Sequence, residues 1–304
     1  MSRRGRADYA EALEIRTLDG RGLGAELREP MGRRVLGTAV FAHPMFANKS
    51  VFSRPRGAGV AQLFFDAGWR TLAFDFRGHG GSTFHGKSTT PEHAPWGYDD
   101  LVRIDLPSVT QAARARWPRS RLVVVGHSLG GHVALASLGA GMLDADALVV
   151  AAANVWMRRI EASRRVWLVK LATISGMAAL ANRHRYFPAR ALRLGTDDEA
   201  APYIEDLARF ALRGAWTSRD GLVDYEAALA HIVAPTFSLT SAGDKLYCRT
   251  ESCTQLLSRM SACTQHCVST DDHGIAPPGH MALVTSAASR SGWRRALEWL
   301  GEVA

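Results

Sequence analysis

The sequence predicts an α/β fold: a mostly parallel sheet with helices on both faces and an inserted helical cap. Three observations predict it. Strand-like runs at 36–42, 70–76, 121–126, 147–152 and 236–241 are rich in Val, Leu and Phe with little polar alternation, which is the pattern of strands buried on both faces. Helical candidates at 57–67, 99–117 and 129–139 lie between them, and strand alternating with helix makes the neighbouring strands parallel. From about 155 to 232 no convincing strand occurs, whereas Trp156, Ile160, Trp167, Leu171 and Ile174 recur at roughly helical spacing.

In chain order, short runs at 12–17 and 22–28 flank the turn Leu18-Asp19-Gly20-Arg21 and read as an antiparallel hairpin at the start of the sheet. Pro107 interrupts the 99–117 pattern, because proline removes a helical N–H, and predicts a kink or division there. After the cap the sheet resumes at Pro235, followed by a helix near 251–260, a last strand near 265–269 and a final helix over 293–300. The expected organisation is one core built from 1–154 and 233–304, with 155–232 inserted as the cap. With 304 residues, 47% hydrophobic and 22% charged, the chain has ample apolar material for such a core.

The first residues, Met1 to Arg16, carry positive charge with no apolar run behind it, unlike a secretory signal. The longest apolar stretch, 145–157, contains Asp146 and Asn154 and falls short of the roughly 20 residues a membrane span needs. The expectation is a cytoplasmic protein without a stable membrane anchor. A net charge of +8 would suit an acidic partner, but the basic residues are mostly scattered arginines. With no zinc-finger spacing, aromatic RNA-binding signature or Lys/Arg block, nucleic-acid binding is set aside. Cys248, Cys253, Cys263 and Cys267 cluster with His266 and His273 nearby, yet their spacing fits no common zinc pattern, so they are read as reduced cysteines and no metal is expected.

The chemistry is concentrated in Gly126-His127-Ser128-Leu129-Gly130, a G-x-S-x-G run between a buried strand candidate and an apolar helix candidate. A serine on such a sharp strand-to-helix turn sits in a strained backbone, and the flanking glycines remove side chains that would collide as strand and helix approach. Ser128 is the candidate nucleophile. A glycine-rich helix N-terminus in which Ser128 merely caps the helix is the alternative, but it does not explain the rest of the pattern.

Through GHSLGG at 126–131 and FDFRGHGGS at 74–82, the chain resembles the α/β-hydrolase superfamily, particularly its lysophospholipase-like and monoacylglycerol-lipase-like members. The resemblance covers nearly the whole sequence and implies the chain order nucleophile, acid, histidine. On that order Asp244, in the loop after 236–241, is the acid that would orient the histidine; Asp271 and Asp272 are rivals. His280, in Pro277-Pro278-Gly279-His280-Met281, matches the loop that carries the general base, with His273 a competitor. An imidazole titrates near neutrality, so it can take the serine proton and return it to a leaving group.

The resemblance also implies two oxyanion donors, the Leu129 N–H and the Met45 N–H. Here the sequence departs from the family, since Phe41-Ala42-His43-Pro44-Met45 carries proline where His-Gly is more usual. Proline cannot donate, but the implied donor is the next residue. No chemistry is assigned to Arg77-Gly78-His79-Gly80-Gly81-Ser82, and His79, His127 and His132 read as structural or surface residues.

Cap residues Arg158, Arg159, Arg164, Arg165, Lys170, Arg183, Arg185, Arg190 and Arg193 face a single acid, Glu161. A solvated basic face is the preferred reading, with attraction of an anionic substrate or membrane surface as the alternative. The expected activity is hydrolysis of an ester-like acyl substrate, with lipid-like and anionic substrates as the candidates, without a cofactor. Ser128 argues against the dehalogenase and epoxide-hydrolase branches, which carry a carboxylate at the elbow, and against the polyester synthases, which carry cysteine. An acyltransferase with the same residues and a non-catalytic binding protein on the same fold are the competing classes.

Overall fold

A computed structural model describes residues 9–88, 91, 95–269 and 276–303. The first half runs β1 (Tyr9–Arg16), β2 (Arg21–Glu29), β3 (Gly37–Ala42), α1 (Val60–Asp66), β4 (Trp69–Phe74), β5 (Thr83–Phe84), β6 (Lys87–Ser88), α2 (Tyr98–Asp100), α3 (Leu106–Arg116), β7 (Leu122–His127) and α4 (Leu129–Gly139). Then follow β8 (Ala147–Ala151), α5 (Arg164–His184), β9 (Tyr186–Phe187), β10 (Glu199–Ala200), α6 (Ala201–Arg213), α7 (Tyr225–Ala228), β11 (Thr236–Ser241), α8 (Thr250–Leu257), β12 (Thr264–Val268), α9 (Ala282–Thr285) and α10 (Arg290–Glu302).

Nine strands of the main sheet lie in the order β12-β11-β8-β7-β3-β4-β2-β5-β6, and β1 pairs with β2 beside this path. Every pair from β12 to β4 is parallel, while β2 meets β1, β4 and β5 antiparallel. All residues of β3, β7, β8 and β11 are buried, as expected for central strands covered on both faces. At the edge, β12 exposes Thr264 and Gln265.

Several boundaries differ from the sequence reading, each for a physical reason. The strand expected over 70–76 ends at Phe74: Asp75 N–H still donates to Gly24 O of β2, but the N–H groups of Phe76 and Arg77 turn to the side chains of His43 and Asp105. Around Pro107, a π-helical turn at Leu101–Asp105 separates α2 from α3, so the proline sits in the first turn of α3, where a missing N–H is tolerated. Two small ladders escaped periodicity altogether: β5 with β6, and β9 with β10, each strand only two residues long.

Between β8 and β11 the chain adds no strand to the main sheet among the described residues. It forms α5, α6 and α7 instead. The residues α5 buries, Trp167, Lys170, Ile174, Met177 and Ala181, recur at alternating steps of three and four, the spacing of one helical face. Lys170 corrects the reading of this segment as a uniformly solvated basic face: it is 1% exposed and ion-paired to Glu161 at 2.8 Å. Arg159 pairs with Glu226, whereas Arg164, Arg165, Arg183, Arg185, Arg190 and Arg193 are exposed. No helix is long and apolar enough to cross a membrane among the described residues.

Candidate active site

The turn from β7 into α4 carries Ser128 at φ 51° and ψ −112°, a conformation that L residues with a side chain rarely adopt. It is held by Ser128 N–H donating to Ala151 O (2.8 Å) and by His132 N–H donating to Ser128 O (3.1 Å). The glycines are needed for space. A Cβ at Gly126 would lie 2.5 Å from Gly130 O, and one at Gly130 would lie 2.0 Å from Ala42 O.

Two loops bring the other residues to this turn. Asp244 follows β11, and Gly243 lets that loop touch the segment before α9, where a Cβ would stand 2.2 Å from Pro277 O. Ser241 Oγ–H donates to Pro278 O at 2.6 Å and ties the same two loops together. The result is a chain of contacts: His280 Nε2 lies 2.9 Å from Ser128 Oγ, and His280 Nδ1 lies 2.5 Å from Asp244 Oδ2. The sequence candidates Ser128, Asp244 and His280 are therefore brought together, from positions 152 and 36 residues apart along the chain. The rivals Asp271, Asp272 and His273 lie outside the described residues.

Hydrogen bonding fixes the protonation pattern. Burial works to raise the Asp244 carboxyl, but the hydrogen bond and charge of His280, with N–H donation from Cys248 and Tyr247, outweigh it and hold the group below its ordinary value. An ionised carboxylate only accepts, so Nδ1 is the His280 nitrogen that presents a proton to it, and in the neutral imidazole Nε2 is then the acceptor facing Ser128 Oγ–H. His127, fully buried, is pushed well below the usual imidazole range by burial and by the neighbouring His280, and it donates through Nε2 to His280 O at 3.1 Å. His127 thus holds the loop of His280 as a neutral donor.

Met45 and Leu129 line the same cavity as Ser128 and His280, a space of about 600 Å³. Its wall is mainly apolar, with Val51, Val155, Trp156 and Met45 near the core and Ile174, Met177, Leu207 and Phe210 from α5 and α6. Neither the Met45 nor the Leu129 N–H meets a hydrogen-bond acceptor among the described residues. Burial and the charge of His79 push the His43 imidazole down to about 4, so it stays neutral; Nε2 accepts from Phe76 N–H (3.0 Å) and Nδ1–H donates to Pro44 O (2.8 Å).

Three residues near this loop were not legible as partners in the sequence. Asp75 accepts from Lys49 N–H (2.7 Å) and pairs with Lys49 Nζ. Asp197 accepts from Gly80 N–H (2.8 Å) and Asn48 Nδ2–H (2.7 Å). Glu199 is buried against Phe46 N–H and His79. No local pattern marks Asp197 and Glu199, which act on segments far away in the chain, whereas Asp75 lies within the FDFRGHGGS run and also accepts from Gly81 N–H (2.8 Å).

His79 and His132 are buried and structural, the latter against Tyr98 OH at 2.9 Å. The four cysteines are free thiols, and no group of His, Cys, Asp or Glu placed to hold a metal occurs among the described residues.

A mostly parallel sheet with a strained serine turn between strand and helix, and a histidine and carboxylate reaching it from later loops, defines an α/β-hydrolase. Over residues 55–276 the chain matches the Hydrolase_4 family, described as serine aminopeptidase, S33, and it belongs to that family. No curated protein matches. Solved structures with a similar fold include an esterase of Pyrococcus furiosus (TM-score 0.62, 18% identity, covering 97% of this chain and 91% of that one). The α/β hydrolase GrgF from Penicillium sp. sh18 is similar at TM-score 0.61 and 16% identity, covering 97% and 98%. Est1E from Butyrivibrio proteoclasticus, solved with ferulic acid bound, is similar at TM-score 0.61 and 14% identity, covering 96% and 98%.

Proposed function

We propose that the protein is a serine hydrolase that cleaves an ester-like acyl substrate through an acyl-enzyme, with Ser128 as nucleophile, His280 as general base and acid, and Asp244 as the group that orients it. The observation that carries this reading is the hydrogen-bonded line from Ser128 Oγ through His280 to Asp244. Ser128 Oγ attacks the acyl carbon as its proton passes to His280 Nε2, giving a tetrahedral oxyanion that faces the N–H groups of Met45 and Leu129. His280 then returns the proton to the leaving alkoxide, and the C–O bond breaks. In the second half, water loses a proton to His280, attacks the acyl-enzyme and releases the acid, restoring Ser128.

An apolar cavity of about 600 Å³ favours a hydrophobic acyl group, consistent with the lipase-like resemblance of the sequence. Residues 155–232 act as its cap, since α5 and α6 supply Ile174, Met177, Leu207 and Phe210 to the cavity wall.

A fluorophosphonate probe tests the reading. Labelling is expected on Ser128, and Ser128→Ala is expected to abolish both labelling and hydrolysis of a p-nitrophenyl ester with nearly unchanged melting, because the strain of the turn belongs to the backbone. Ester turnover by a folded Ser128→Ala protein would overturn the assignment.

A further inference from the structure

The loop that carries the Met45 N–H is clamped on both sides. On one side His43 Nδ1–H holds Pro44 O at 2.8 Å. The Pro44–Met45 peptide is trans, so its N–H points away from the carbonyl that His43 grips, and fixing one end fixes the direction of the other. On the other side Phe46 has φ +64°, an uncommon conformation for a bulky residue that persists only when neighbours over-determine it.

The backbone hydrogen-bond partners of Phe46 all come from 196–199, while its ring stacks on Phe187. Phe46 O accepts from Thr196 N–H (2.8 Å) and Asp197 N–H (3.3 Å), and Phe46 N–H donates to Glu199 Oε1 at 2.7 Å. The same Glu199 oxygen lies 3.2 Å from His79 Nε2, with both side chains fully buried. His79 Nδ1 lies 3.0 Å from Arg77 O, so both ring nitrogens face acceptors, and its ring packs against His43 with centroids 4.9 Å apart. The inserted segment and the core turn at 77–80 therefore meet on the loop that carries the Met45 donor.

We propose that Glu199, with His79 as its buried partner, is a positioning residue for the reaction: by accepting from Phe46 N–H it holds the Met45 N–H in line for the oxyanion, so that seating of residues 196–199 and transition-state stabilisation are one event. This rests on the reading of Met45 as an oxyanion donor. Glu199 itself touches no reacting atom. Its effect is on turnover and not on ground-state binding, because the oxyanion exists only in the transition state and the intermediate.

The test uses the full chain and a p-nitrophenyl ester, with kcat, KM and melting temperature measured for Glu199→Ala, Glu199→Gln and Glu199→Asp. Loss of one oxyanion donor typically costs about 10²–10³ in kcat, so a misdirected donor is expected to cost at least about tenfold, with KM within about threefold of the parent. Glutamine keeps the reach and one oxygen that accepts both from Phe46 N–H and from the Nε2–H of a neutral His79, the two donors that share Glu199 Oε1, at the cost of the His79 Nδ1–H bond to Arg77 O, so it is expected to rescue most of the loss. Aspartate keeps the charge but is one methylene short of Phe46 N–H, so it is expected not to rescue.

If Glu199→Ala does not fold, the ranking of Gln above Asp carries the test. Parent kcat in the Ala or Asp variant, equal impairment of Gln and Asp, or losses that appear in KM alone would each overturn the positioning role. The two readings fail separately. If the parent shows neither Ser128 labelling nor ester turnover, the proposed function falls, whereas a labelled and active parent with the wrong variant ranking sinks only the role of Glu199.

Discussion

Replacing Asp244 by asparagine keeps the shape of the side chain and turns one of its two acceptors into a donor. In the structure Oδ1 accepts from Tyr247 N–H (2.9 Å) and, more weakly, Leu246 N–H (3.4 Å), while Oδ2 accepts from Cys248 N–H (3.0 Å) and His280 Nδ1–H. If the new NH₂ replaces Oδ1, it faces the N–H groups of Tyr247 and Leu246 and leaves a buried donor unsatisfied, at a cost of about 1–3 kcal/mol. If it replaces Oδ2, it loses Cys248 N–H but donates to His280 Nδ1. The second orientation keeps more hydrogen bonds and is expected to dominate.

That orientation forces the His280 proton onto Nε2, where it meets Ser128 Oγ as a donor and cannot take the serine proton. The same tautomer error in a serine protease lowers kcat by about 10⁴, equivalent to about 5 kcal/mol of barrier. The assay is kcat on a p-nitrophenyl ester near neutral pH, with melting temperature as the folding control. A folded Asp244→Asn enzyme that kept a tenth or more of the parent kcat, taken as roughly the limit for a minor tautomer effect, would refute the argument. The acid would then have to be sought elsewhere.

Two more outcomes are expected. Met45→Pro deletes a backbone N–H that side-chain truncation cannot reach, so a variant that melts near the parent should lose about 10²–10³ in kcat while Met45→Ala keeps most of it; equal turnover by both would place the donor elsewhere. For stability against pH, burial opposes the charged form of His79, but the Glu199 and Asp197 carboxylates outweigh it and push the imidazole up to about 9, with the rings of His43 and Trp96 packed against it. A raised value means the contribution is complete below the ordinary imidazole value of about 6.5 and is lost as pH rises through about 9, so the melting temperature should fall across that window in the parent. The fall should be much smaller in Glu199→Gln, and an unchanged slope there would remove the pair as its source.

The site was legible in the sequence to the extent that its chemistry is written in short local patterns. G-x-S-x-G between a buried strand and an apolar helix announces Ser128, because glycine at 126 lets β7 approach α4 and glycine at 130 lets α4 approach Ala42 of β3. Asp244 and His280 were reached through family order, and their meeting with Ser128 depends on loops that Gly243 and Ser241 bring into contact. The two-residue ladders were invisible, since a period needs several residues before it can be recognised. Lys170 was misread for a related reason: the charges of Lys170 and Glu161 are both visible in a sequence, but their burial as one ion pair is not.

By itself the sequence determined the order of the long core strands and the helices between them, the parallel core and the strained turn, because burial on both faces and backbone freedom act on neighbouring residues. Tertiary structure alone decided which distant groups share a hydrogen bond. Glu199 and Phe46 are 153 residues apart, and nothing local distinguishes that glutamate from a surface carboxylate. Its role follows from packing, which excludes water around it and leaves Phe46 N–H and His79 as the partners a buried charge requires.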